Sequence, residues 1–174
     1  MELTVITALA TLVLSMAVVT DLRSSRIPNW LTVPSVVIAM GIHAYLNSIG
    51  GLLFSLTGLV TGLGLFLLLY LMGSIGAGDV KLMAAVGAMI GPSGAMISAV
   101  LAILVGGGYA LGAMCFQWGV WGTGRKLASA VHGTALVGGQ VWTQELALPF
   151  RLRYGLAIAG GTLLFLTGLH PFGG

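Results

Sequence analysis

Only four carboxylate side chains occur in the 174 residues: Glu2, Asp21, Asp79 and Glu145. Two of them stand where an acid is costly. Asp21 closes one apolar run, in "AVVTDLRSSR", and Asp79 opens another, in "GAGDVKLMAA". An ionisable group at a hydrocarbon boundary is by default a reason to look for function. Two carboxylates brought together in a poorly solvated site do not both ionise cheaply, so they share a proton. One then acts as base toward a water molecule while the other donates to a carbonyl oxygen. That is peptide hydrolysis of the aspartic-protease type, and it requires neither a metal nor a nucleophilic side chain. The competing reading is structural: each Asp caps a helix, a role that Asp fills well, or pairs with a neighbouring Arg or Lys. Position and composition by themselves leave both readings open. Gly76 and Gly78, just before Asp79, have a mechanical reading. They let the backbone turn sharply and let an extended peptide approach the carboxylate.

The elements that must position these acids are set by composition. Hydrophobic residues make up 57% of the chain and charged residues 6%, against roughly 25% charged in a soluble domain. Such a chain is an integral membrane protein, and the fold class expected is an all-α, polytopic helix bundle forming one domain over residues 1–174. Six apolar runs are legible, at about 3–20, 31–46, 51–73, 79–90, 95–117 and 152–169. They predict about six transmembrane helices. The fourth is short for a hydrocarbon core roughly 30 Å thick. "NSIGG" and "GPSG" read as breaks. Residues 118–150, with Trp118, Trp121 and Trp142, read as an interfacial segment. The first run lacks a basic leader and a clear small-residue cleavage site, and is expected to be a retained helix. Gly58 with Gly62, and Gly108 with Gly112, have the spacing that lets helices pack closely in lipid.

With six spans, all seven basic residues fall on one side: Arg23, Arg26, Lys81, Arg125, Lys126, Arg151 and Arg153. The positive-inside rule makes that side cytoplasmic, which places both termini outside. The net charge of +3 is then a mark of orientation and not of nucleic-acid binding. Asp21 and Asp79 share the basic side at similar depth, and they meet if their helices pack together. Glu2 lies on the opposite side, and Glu145 reads as a surface charge.

Around the two acids the sequence resembles a known family. "GAGDVKLMAAVGAMIG" is similar to the G-x-G-D-x-K-L segment of the type IV prepilin peptidases. "DLRSSRIPNWLTVP" is similar to their first-aspartate segment, in which a short basic stretch leads to I-P-N-x-L-T. The two segments come in the family's order. The resemblance implies a membrane aspartic endopeptidase with Asp21 and Asp79 as its catalytic pair and Gly76, Gly78, Lys81, Pro28 and Asn29 as supporting motif residues. It also implies prepilin or pseudopilin substrates, cut between a basic leader and a hydrophobic helix at the cytoplasmic face of a bacterial or archaeal inner membrane. Bifunctional members also methylate the new N-terminus and carry a cytoplasmic insertion between their first spans, commonly with two C-x-x-C pairs. Here there is one cysteine, Cys115, and no such insertion. The chain looks like the short form of tight-adherence (Flp) pilus systems, which cleaves and does not methylate.

The remaining polar residues have plainer readings. On a helix Lys81 points about 200° away from Asp79, as a topology marker, or toward lipid head groups or the substrate region. Arg23 and Arg26 are markers of the same kind, and Asn29 is expected to cap the second run. His43, His132 and His170 are scattered, so no metal site is expected, nor any cofactor. Cys115 and the eight methionines read as packing or lipid-facing residues. Two other functions fit the composition. One is a small proton-coupled transporter with the acids as a relay, although both acids lie at one face and no inverted repeat is visible. The other is a non-enzymatic scaffold of a secretion complex, with both acids as caps.

Overall fold

The computed structural model describes residues 2–24, 27–72, 75–137 and 154–168. Its regular structure is helical: α1 (Glu2–Ser24), α2 (Asn29–Leu71), α3 (Ala77–Val137) and α4 (Tyr154–Leu166). Stretches of α1, α2 and α3 (Thr4–Ser24, Asn29–Leu71 and Ala77–Ala110) are long and apolar enough to cross a membrane, and α4 is a shorter apolar helix. Among the described residues there are thus four helices and not the six expected. The difference lies in how the chain turns. The second and third apolar runs join as α2, and the fourth and fifth join as α3.

Both long helices nevertheless double back. At 43 residues a straight α2 would reach about 65 Å. Non-helical dihedrals at Asn47 and Ser48 break it, and beyond the break Gly51 comes up against the His43 carbonyl. In α3 the reversal falls at Gly91, whose φ is 77°, a region open to glycine and closed to most side chains. Pro92 follows, with no N–H to continue a helical ladder. A Cβ placed on Gly87 would sit 3.3 Å from the Ala95 methyl, whereas a straight helix holds those positions about 12 Å apart. The turns are so tight that the runs on either side merge into single elements.

The second leg of α2 packs antiparallel on the first leg of α3. Gly58 lies on the Gly87 carbonyl and Gly91, and Gly62 lies on the Met83 carbonyl. Small residues allow this backbone approach, which is the main means of helix association in lipid. The Ser55 hydroxyl donates to the Ala88 carbonyl at 2.7 Å. His43 Nε2 is 3.0 Å from the Met89 carbonyl, and its ring meets Phe54 at 5.2 Å between centroids. By contrast Gly108 and Gly112, the other expected packing pair, have no neighbour among the described residues in reach of an added Cβ.

Residues 82–89 are all buried, so the first leg of α3 is the centre of the bundle. Leu14, Phe66, Leu82, Met83, Val86, Met89 and Ile158 form its core. Outward, Val37, Leu68 and Leu104 are each more than 60% exposed, a surface suited to lipid. The interfacial segment expected at 118–150 is in part helical, since α3 runs through residue 137. Trp142, Glu145, Arg26, Arg151, Arg153 and His170 lie outside the described residues.

Candidate active site

Asp21 occupies the last turn of α1 and is only 7% exposed. Both circumstances disfavour an acid. The C-terminal end of a helix carries partial negative charge, and burial withdraws the hydration that a carboxylate needs. An N-cap role for Asp21 is excluded by its place in the helix. Asp79 is different. Its carboxylate reaches back to the helix start, where the Gly76 N–H donates to Oδ2 at 3.1 Å. The Gly76 carbonyl in turn accepts the N–H groups of Asp79 and Val80 at 3.1 and 3.4 Å. This is the acid half of a capping box, an acid three residues in that satisfies the N-cap N–H. The capping reading therefore holds for Asp79, through its position inside the first turn. Half-buried, Asp79 also feels the charge of Asp21, so the fold brings the two acids within electrostatic reach.

What brings them there is contact between the two sequence motifs. Buried Ile27 lies on Gly78, where an added Cβ would stand 3.2 Å from the Ile27 Cβ and 3.3 Å from its nitrogen. Pro28, in extended conformation, is the N-cap residue of α2, and its carbonyl accepts the Leu31 N–H at 3.1 Å. Beside it the Lys81 ammonium donates to Asn29 Oδ1 at 2.9 Å. The segment after Asp21 is thus latched to the helix that begins with Asp79.

A sequence family runs through this whole arrangement: the type IV leader peptidase family matches residues 8–111, more than half of the chain. The chain belongs to that family. It is a peptidase, and its long apolar helices make it a membrane protein. The match takes in both acids, the Ile27–Asn29 segment and Lys81, and ends before α4. No curated protein and no solved structure is significantly similar to the chain.

Two expectations about this leader peptidase change. Asn29 is no cap: α2 begins at Asn29 behind Pro28, with no side-chain cap bond. Its amide oxygen is turned to Lys81 instead. Lys81, read as a topology marker, does keep an exposed position, yet it also joins the motifs. A local reading missed this because the partners are far apart in sequence. Two further residues went unnoticed. A Cβ on buried Gly155 would lie 2.8 Å from Asp21 Oδ2, so α4 passes directly over that carboxylate. Tyr154, half-buried, is within electrostatic reach of Asp79. Among 28 glycines nothing local distinguishes Gly155. The one available signal was that it opens the last apolar run on the side shared by the acids.

Proposed function

We propose that the chain is a membrane aspartic endopeptidase that removes the basic leader from prepilin-like proteins at the cytoplasmic face, with Asp21 and Asp79 as its catalytic pair. The observation that supports this reading is the latch between the two motifs: Ile27 lies on Gly78 and Lys81 donates to Asn29, which holds a buried Asp21 and a half-buried Asp79 within electrostatic reach of each other. Burying an acid at a helix C-terminus beside another acid has no structural advantage, and a shared proton gives it a chemical one. Family membership supports a leader peptidase and weighs against a transporter or a scaffold.

In this scheme one carboxylate is ionised and the other protonated. The ionised group takes a proton from a water molecule as its oxygen attacks the scissile carbonyl carbon. The protonated group gives its proton to the carbonyl oxygen, and a neutral gem-diol results. Collapse of the diol breaks the C–N bond. The nitrogen leaves with the proton taken from water, and a diol hydroxyl returns its proton to the other carboxylate. The pair ends as it began, with one proton between two acids. No metal or nucleophilic side chain takes part.

The experiment is cleavage of a prepilin-like peptide, a basic leader joined to a hydrophobic helix, by the purified protein. Asp21→Asn and Asp79→Asn are each expected to abolish cleavage while folding survives, since Asn is nearly isosteric and its oxygen still accepts the Gly76 N–H. Groups acting as a unit are not additive, so the double variant is scarcely worse than either single one. Glu2→Gln and Glu145→Gln retain most activity. Normal cleavage by a folded Asn variant at either position overturns the assignment.

A further inference from the structure

The two acids come from α1 and α3, and both fall inside the region matched by the family. The roof over them comes from outside it. Tyr154 and Gly155 are consecutive at the start of α4, and Gly155 lies on Asp21. Gly155 presses on Asp21: an added Cβ would meet Oδ2 at 2.8 Å, Cγ at 3.2 Å and Cβ at 3.3 Å. All three atoms belong to one short, buried side chain with two rotatable bonds, on the last turn of α1. The nearest atom is the end of that side chain, so a methyl at position 155 must turn the carboxylate or lift α4. Lifting is opposed along the helix. The Tyr154 ring sits in a slot on the second leg of α3, where a Cβ on Gly106 would come within 2.8 Å of Cε1 and 3.1 Å of the hydroxyl. Two turns further on, Gly161 lies on the backbone of that leg, with an added Cβ 2.5 Å from the Ala102 nitrogen and 2.9 Å from the Ser98 carbonyl oxygen. With α4 fixed at both places, the Asp21 side chain is what yields.

We propose that Gly155 is a positioning residue of the peptidase site: the bare backbone at the start of α4 sets the orientation of the Asp21 carboxylate toward Asp79. This rests on the aspartic-peptidase reading given above and extends the site to a helix beyond the matched region. Its role is to hold Asp21, not to touch the substrate.

The test compares Gly155→Ala with Gly160→Ala on the same helix, where an added Cβ meets only Val105 Cγ1 at an ordinary 3.7 Å. Purified proteins are assayed on the prepilin-like peptide across pH. Misplacing a reacting group by about 1 Å costs up to roughly 100-fold, so Gly155→Ala is expected to lower kcat about 10–100-fold with KM within about twofold. The limbs of its pH–rate profile also move, because the coupling between two titrating acids depends on their geometry. Gly160→Ala keeps kcat and pH profile. Wild-type kcat and pH profile in Gly155→Ala overturn the proposal, as does an equal loss in both variants. Thermal unfolding gives a second reading that does not depend on activity: Gly155→Ala is expected to lower the melting temperature in the wild type and much less in Asp21→Ala. Should Gly155→Ala alone fail to accumulate, recovery in Asp21→Ala/Gly155→Ala supports the contact, and failure there too overturns it. If Asp21→Asn cleaves normally, the aspartic-peptidase reading fails and this proposal with it. If Asp21→Asn is inactive and Gly155→Ala is normal, only this proposal fails.

Discussion

Cutting the bond between Lys81 and Asn29 tests whether the latch matters to catalysis. Three variants suffice: Asn29→Ala, Lys81→Ala and the double. The bond is 2.9 Å long, a good distance for an ammonium donor. A neutral hydrogen bond contributes about 0.5–1.5 kcal/mol and a charged partner raises that. Both residues are exposed, however, so competition from water and screening pull the value down again. About 1 kcal/mol remains. At tenfold per 1.36 kcal/mol, full expression of that amount in the alignment of the two acids is about fivefold in rate. Each single variant is therefore expected to lose about fivefold in kcat/KM, measured on the prepilin-like peptide with orientation in the membrane checked by labelling. The double variant distinguishes one shared bond from two independent roles. A shared bond leaves the double near fivefold, while independent roles multiply to about 25-fold. A multiplied loss, or no loss in either single variant, refutes the latch.

Gly62→Ala drives a methyl into the Met83 carbonyl, which cannot yield, whereas Gly64 on the same helix has nothing within reach. We expect Gly62→Ala to destabilise by about 1–3 kcal/mol and Gly64→Ala to be neutral or up to about 1 kcal/mol stabilising through helix propensity, read from thermal unfolding in detergent. For topology, cysteines placed at Arg23 and Lys81 are expected to be shielded from an impermeant reagent in whole cells and one at Ser48 to be labelled; the reverse pattern overturns the cytoplasmic assignment of the site. Processed pilin from cells with this enzyme alone is expected to keep an unmethylated N-terminus, and a mass gain of one methyl group that depends on this chain sinks the peptidase-only reading.

Fold class, membrane character and the pair of acids were all legible because each leaves a local trace. Charge scarcity marks the membrane, and Asp21 and Asp79 stand out against uncharged runs. The breaks at 47–48 and at Gly91 were legible too, as turn-forming residues between apolar runs. Their tightness was not, because hydropathy reports where polarity changes and not how few residues a reversal needs. So six runs became four helices. Asn29 was misread because an Asn behind a proline is locally a good cap, and only tertiary contact could show that Lys81 takes its oxygen. The two glycine pairs had the same spacing, yet among the described residues Gly58 and Gly62 meet a partner while Gly108 and Gly112 do not. Spacing gives permission for close approach, and the partner decides it. Gly155 was faint for a related reason: beyond its place at the start of the last apolar run, its meaning is an absence of side chain opposite Asp21, which no pattern in its own helix records.

The short first leg of α3 is enclosed on every side from residue 82 to residue 89. A lipid-facing helix has to match the thickness of the bilayer, tilting or stretching the surrounding lipid when it does not. This leg has protein for neighbours and is released from that demand. Thickness mismatch falls on α1 and on the outer faces of α2, where Val19, Val37 and Leu68 are exposed. The helix that starts with Asp79 can therefore end where its own turn requires, and the depth of the acid is set by Gly91 and its packing instead of by the acyl chains. Membranes of different chain length would tilt the outer helices around a centre that keeps its register.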